Sequence, residues 1–192
     1  MESNVIVNGV DKFNDNAGTI FNFFTAKTFR YIQNICDSFE PTYVDNHTVE
    51  YPLQKKYGVK ESKREFFDLG ESDPLYNPIY REAEAVIQEL FNGTIGRITL
   101  WRDYPYYTNG VHFDDPNLVK NIVIVYLMDD VFCGTQFHDR SNNSFKYCDA
   151  EINKGFYLLE SDKTFHGTKY YVPENYIRKT LYFNFTLPGE DG

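Results

Sequence analysis

The chain has 192 residues, of which 42% are hydrophobic and 24% charged, with a net charge of −9 and a pI of about 4.9. That length suits one domain with a sizeable core, and that composition excludes a disordered polymer. The negative charge repels phosphate backbones and anionic lipid, which disfavours nucleic acid and membrane surfaces as partners.

The densest basic stretch, Lys55, Lys56, Lys60, Lys63 and Arg64, reads as a solvated loop or strand edge. Three cysteines, Cys36, Cys133 and Cys148, form no C-x-x-C and no even-numbered framework, so a reducing compartment is expected. The N-terminus lacks a basic, apolar leader, and no run is long enough to span a bilayer; a soluble cytoplasmic protein is expected. Seventeen Phe and 16 Tyr favour strands around a well-filled interior.

Residues 5–7 read as a short strand, followed by an Asn/Asp-rich turn and the apolar stretch 20–24. Thr25 is placed to cap a helix of about fourteen residues, in which Phe29, Ile32, Ile35, Cys36 and Phe39 recur at helical spacing until Pro41. Residues 42–70 are polar with extended pieces, and lid or recognition loops are expected there; His47 reads as a surface residue. Asp73-Pro74 and Asn77-Pro78 both resemble helix starts. Ile79, Ala83, Val86, Ile87, Leu90 and Phe91 then form one apolar face, closed by Asn92-Gly93.

Beyond Gly93, strands are predicted at 94–102, 121–128, 134–138, 144–148, 155–160 and 178–187, separated by turn residues without intervening helices. This pattern predicts a mainly β fold with flanking helices, an antiparallel jelly roll forming one domain over 1–192. An N-terminal helical support covers about 1–93, and the jelly-roll core about 94–188.

His112 and Asp114 lie two residues apart, so in extended chain both side chains face one point. With His166 they make two histidines and one carboxylate, the facial ligand set of non-haem Fe(II) sites. Taken alone the H-x-D is weak, since a hydrogen-bonded strand-end pair would look the same. His138 and Asp139 are adjacent and face opposite sides of a strand, so they cannot share a metal. Asp115 reads as a turn residue before Pro116, and Trp101 as core or cleft lining.

Tyr104, His112, Asp114, Tyr126-Leu127, Gly134, His166, Arg178 and Thr180 follow one another in an order that resembles the Fe(II)- and 2-oxoglutarate-dependent dioxygenases, most closely their prolyl 4-hydroxylase-like branch. The resemblance covers about residues 98–187 and implies a double-stranded β-helix. It implies Fe(II) on His112, Asp114 and His166, with 2-oxoglutarate and O2 as cosubstrates and ascorbate as an accessory. Arg178 would grip the distal carboxylate of 2-oxoglutarate, because a planar fork suits a carboxylate, and Thr180 would add a hydroxyl from the same strand face. Tyr126 and Tyr104 are either further ligands of that carboxylate or core aromatics. His166 and Arg178 are 12 residues apart, longer than the family interval, with 170–175 as a loop insertion. Lys179, on the opposite face, is the alternative anchor. Cys133 stands where the family often has glycine.

The implied activity is hydroxylation of a peptide or protein side chain, proline leading, coupled to oxidation of 2-oxoglutarate to succinate. The alternatives are an oxygenase acting on a free amino acid, small metabolite or nucleobase, and a non-catalytic jelly-roll binding module.

Overall fold

In the computed structural model of the chain the described residues are 9–48, 58, 60–73, 76–115, 120–138, 144–161, 163–168 and 170–190. The strand expected at 5–7 lies outside them, as do Pro74 and Asp139.

The elements run β1 (Val10–Lys12), β2 (Ala17–Ile20), α1 (Ala26–Ile35), β3 (Tyr43–Thr48), β4 (Glu61–Asp68), α2 (Tyr76–Phe91), β5 (Thr94–Asp103), β6 (Asn121–Tyr126), β7 (Asp130–His138), β8 (Ser144–Ala150), β9 (Gly155–Leu158), β10 (Phe165–Thr168) and β11 (Arg178–Thr186). Eight strands form one sheet in the order β1-β2-β9-β6-β11-β5-β4-β3, and three form a second in the order β10-β7-β8. Every pairing is antiparallel. Two facing antiparallel sheets with helices outside the larger one make the jelly roll that the strand spacing predicts.

Period-two alternation sorts side chains between two cores. On β6 and β11, Val123, Val125, Leu181, Phe183 and Phe185 pack against Phe29 and Ile32 of α1 and Ile79, Ala83, Val86 and Ile87 of α2. The opposite face sends Ile122, Tyr126 and Tyr182 into the space between the sheets, where they meet Phe137, Cys148 and Phe156. Arg178 and Thr180 share the parity of Tyr182 and enter that inner space. Lys179 turns to the helix side and ion-pairs with Asp37, just past α1.

α1 begins where expected. The Thr25 hydroxyl accepts from the Thr28 N–H and donates to Glu82 of α2, and Glu82 also accepts the Thr25 N–H at 2.8 Å. The helix stops at Ile35, short of the predicted fourteen residues. The Ser38 hydroxyl and N–H both bond back to the Ile35 carbonyl, at 3.3 and 3.0 Å, and turn the chain out of the helix. Phe39 stays buried, stacked on Phe67 with ring centroids 5.2 Å apart. α2 ends on Asn92, whose φ of 55° breaks the helix. At Gly93 a Cβ would lie 2.7 Å from the Phe185 ring, so a side chain there would push the helix end off the sheet.

Residues 43–48 and 61–68 are not loops. β4 pairs with β5 and β3 pairs with β4, extending the large sheet and carrying Arg64 into the interior. His47 lies on β3. β10 and the β1–β2 hairpin are further strands that the sequence reading did not resolve.

Candidate metal centre and adjoining anion pocket

The chain after β5 returns along β10. His112 and His166 exchange backbone hydrogen bonds as an isolated antiparallel bridge, His112 N–H to the His166 carbonyl at 2.9 Å and the reverse at 3.0 Å. Their side chains therefore emerge on one face, with ring centroids 4.6 Å apart. Phe113 and Phe165 alternate to the other face and stack, centroids 3.6 Å apart. Gly167 permits this approach, since a Cβ there would lie 2.7 Å from the Gly110 carbonyl oxygen and 2.9 Å from that of Asn109.

Asp114 completes the group. One donor atom from each of His112, Asp114 and His166 lies within 4.8 Å of the others. His112 Nε2 is 3.4 Å from Asp114 Oδ1, and His166 Nε2 is 3.7 Å from Oδ2. Both histidines donate Nδ1–H to backbone carbonyls, His112 to Gly110 at 2.7 Å and His166 to Thr164 at 3.0 Å. A carbonyl only accepts, so the proton sits on Nδ1 and each neutral ring presents its Nε2 lone pair to the carboxylate. Asp114 Oδ2 is buried without a hydrogen-bond partner. Lone pairs converging on an unsatisfied buried oxygen repel one another unless a cation lies between them. The donor set fits a divalent metal of Fe(II) type.

The Asp114 carboxylate facing its ring pushes His112 up from the ordinary histidine value, while burial pushes His166 down. Burial works to raise the Asp114 carboxyl, but contact with His112 and the field of His166 outweigh it and hold the group below its usual range.

The triad lines one end of a pocket that runs into the space between the sheets, with Ile122 and Phe156 as apolar wall. Arg178 lines it, 6% exposed, and does so in contact with Asp103 of β5: its Nε donates to Oδ2 at 2.7 Å, and its Nη2 ion-pairs with the same oxygen at 2.7 Å. Arg64 of β4 grips the same carboxylate, Nη2 to Oδ2 at 2.9 Å and Nε to Oδ1. Asp103 is fully buried. Burial would raise its carboxyl, but the two guanidinium charges, Arg64's first, hold it below the ordinary value.

The other expected anchors take different places. Thr180 is 1% exposed on the same strand face as Arg178, its Oγ1 buried and unpartnered. The Tyr126 hydroxyl, fully buried, bonds to Thr135 Oγ1 at 2.8 Å. The Tyr104 hydroxyl donates to Glu65 Oε2 at 2.9 Å and does not line the pocket. Trp101 lines it, stacked on Tyr182 with centroids 4.7 Å apart. The sequence reading missed Arg64, Asp103 and Tyr182. Arg64 and Phe66 do alternate on a short extended segment, but only the β4–β5 register, Arg64 opposite Asp103, shows what Arg64 meets.

As a sequence the chain matches no family profile and no curated protein. Its structure is similar to those of several solved proteins. An oxidoreductase of the 2OG-Fe(II) oxygenase family from Burkholderia pseudomallei aligns with a TM-score of 0.66 at 10% identity, covering 89% of this chain and 85% of that one. HygX from Streptomyces hygroscopicus, with nickel, 2-oxoglutarate and hygromycin B bound, aligns at 0.62 and 13% identity, covering 91% and 84%. A Trichoplax adhaerens prolyl hydroxylase, in complex with a peptide of the hypoxia inducible factor oxygen degradation domain, aligns at 0.63 and 11% identity, covering 90% and 84%. The fold that this chain shares with them is that of the 2-oxoglutarate- and Fe(II)-dependent oxygenases.

Proposed function

We propose that the chain is a single-domain 2-oxoglutarate- and Fe(II)-dependent dioxygenase that hydroxylates a peptide or protein side chain. The observation that carries the reading is the pair of histidines locked by Gly110 and Thr164 so that both Nε2 atoms face the unsatisfied Asp114 carboxylate. His112, Asp114 and His166 would hold the metal on one face and leave the pocket side open to ligands. Bound there, Fe(II) would supply oxygen activation coupled to oxidative decarboxylation of 2-oxoglutarate, with ascorbate as accessory reductant.

The chain's own residues bind and orient. Arg178 donates to the distal carboxylate of 2-oxoglutarate, and the unpartnered Thr180 hydroxyl donates beside it. Ile122 and Phe156, each 1% exposed, exclude water from the cosubstrate's carbon chain. Tyr126 supports this floor through Thr135 rather than touching ligand.

A peptide substrate accords with the prolyl 4-hydroxylase-like order of motifs and with the peptide held by the Trichoplax enzyme. A small-molecule substrate is the second reading, favoured by the hygromycin B in HygX. Calorimetric titration of metal-free protein with a divalent metal tests the site. One equivalent should bind to wild type and none to His166→Ala; equal binding by both would refute the triad, and a folded wild type that binds no metal would make the chain a jelly-roll binding module.

A further inference from the structure

Arg64 is a buried charge that the reading above leaves unused. It is 4% exposed, and it shares one carboxylate with Arg178. Among the described residues these two guanidinium groups share the one carboxylate of Asp103, an excess of one positive charge within the cluster. Asp45, opposite Arg64 on β3, is half-buried and acts on it only through its field. Asp114 faces the two imidazoles. An uncompensated buried charge is costly, so a cluster of this kind is stable when a further anion completes it.

Two neutral donors accompany the excess charge. Thr180 and Trp101 are direct cross-strand partners on β11 and β5, two residues along from the Arg178–Asp103 pair and on the same face. Thr180 Oγ1 and Trp101 Nε1 are both buried without hydrogen-bond partners. The Arg64 guanidinium lies against two rings, its Cζ 4.2 Å from the Trp101 centroid and 4.3 Å from that of Tyr107. A guanidinium donates only around its planar edge. Asp103 occupies one side of that edge.

We infer that Arg64 is a second anchor, with Arg178, for the distal carboxylate of an aliphatic dicarboxylate cosubstrate, and that Asp103 is the internal counter-ion that trims this cradle to a single positive charge. The inference rests on the proposed 2-oxoglutarate reading and extends it. A divalent metal on Asp114 leaves one more positive charge at the other end of the pocket, so the site as a whole matches a dianion. The unpartnered Thr180 hydroxyl and Trp101 indole N–H complete the donor set around the distal group.

Trp101 is the chain's only tryptophan, so its fluorescence reports directly on the cradle. The probe is glutarate added to metal-free protein, because glutarate carries the distal carboxylate without the 2-oxo group that would engage a metal. Wild type should show saturable change in emission. Arg64→Met should weaken glutarate roughly ten- to hundredfold, the range of a lost charged hydrogen bond, and Arg64→Lys should recover part of the loss. Arg64→Gln serves by the same criterion if Arg64→Met does not fold. A purely structural Arg64 would lower the melting temperature and leave the affinity of the folded protein unchanged. Unchanged affinity in the Arg64 variants, with Arg178→Met impaired, would overturn the inference and leave the cosubstrate reading standing. No glutarate binding by wild type, or none lost in either arginine variant, would overturn both.

Discussion

Gly167 lies against Gly110 so closely that an added Cβ would stand 2.7 Å from the Gly110 carbonyl oxygen, and that close approach lets the His112 and His166 segments lie side by side. The same Gly110 carbonyl accepts from His112 Nδ1 at 2.7 Å, so the backbone that Gly167 touches also fixes the tautomer of His112. Gly167→Ala is expected to move Gly110, release His112 and weaken metal binding by at least about tenfold, as losing the hydrogen bond that orients a metal-binding imidazole does. Its stability cost should be about 1–3 kcal/mol, as for overpacking. Metal titration alongside urea unfolding checks this; a variant of wild-type metal affinity would contradict it.

Asp103→Asn should destabilise the protein by about 3–5 kcal/mol near neutral pH, because it leaves two buried guanidinium groups without their carboxylate. Burial raises the Asp103 carboxyl and the charges of Arg64 and Arg178 more than reverse this, so its folded value lies below its unfolded one. The stability that it contributes is therefore present above the unfolded value of about 3.9 and lost as pH falls through the lower folded value. Urea unfolding should show the wild-type advantage over Asp103→Asn shrinking below about pH 4. A deficit that does not change with pH would show that the carboxylate's charge contributes nothing.

Arg178 and Lys179 should separate cleanly. Lys179 ion-pairs with Asp37 on the helix side, where Asp37 is 65% exposed, so Lys179→Met should cost under about 1 kcal/mol and leave dicarboxylate affinity unchanged. Arg178→Met should weaken 2-oxoglutarate by about tenfold or more. Direct binding measurements decide it; the reverse pattern would move the anchor to Lys179.

Tyr104→Phe should not alter cosubstrate affinity, since the Tyr104 hydroxyl donates to Glu65 and not into the pocket. Its effect should appear as a loss of about 1 kcal/mol in stability, the worth of one hydrogen bond. A change in 2-oxoglutarate affinity without a change in stability would restore Tyr104 as a ligand.

Local patterns in the sequence carried much of the architecture. The apolar stripe Ile79, Ala83, Val86 and Ile87, the apolar run of β6 and the alternation along β11 depend on neighbours a few residues away, and all are legible without a structure. H-x-D is legible for the same reason, because two-residue spacing already places His112 and Asp114 on one side. Features set by distant pairing were not. β10 has only four residues, Phe-His-Gly-Thr, and becomes a strand because β7 lies alongside it. β3 and β4 lie in a polar region where lid loops were expected and only pieces looked extended, yet β5 holds β4, and β4 holds β3, in the large sheet. Arg64 looked like part of a solvated basic run, and only the β4–β5 register brings it opposite Asp103. The end of α1 turned on Ser38, whose bonds to Ile35 competed with a stripe that otherwise continued to Phe39.

The most direct test of the central claim is to add Fe(II) and 2-oxoglutarate without oxygen to metal-free protein and record the visible absorption spectrum, with His166→Ala and Arg178→Ala alongside. A charge-transfer band of a metal-chelated 2-oxo acid should appear in wild type. It should be absent from His166→Ala and need much more 2-oxoglutarate in Arg178→Ala. A folded wild type that binds both additions and shows no band, or a band that survives His166→Ala intact, would contradict the assignment of this site.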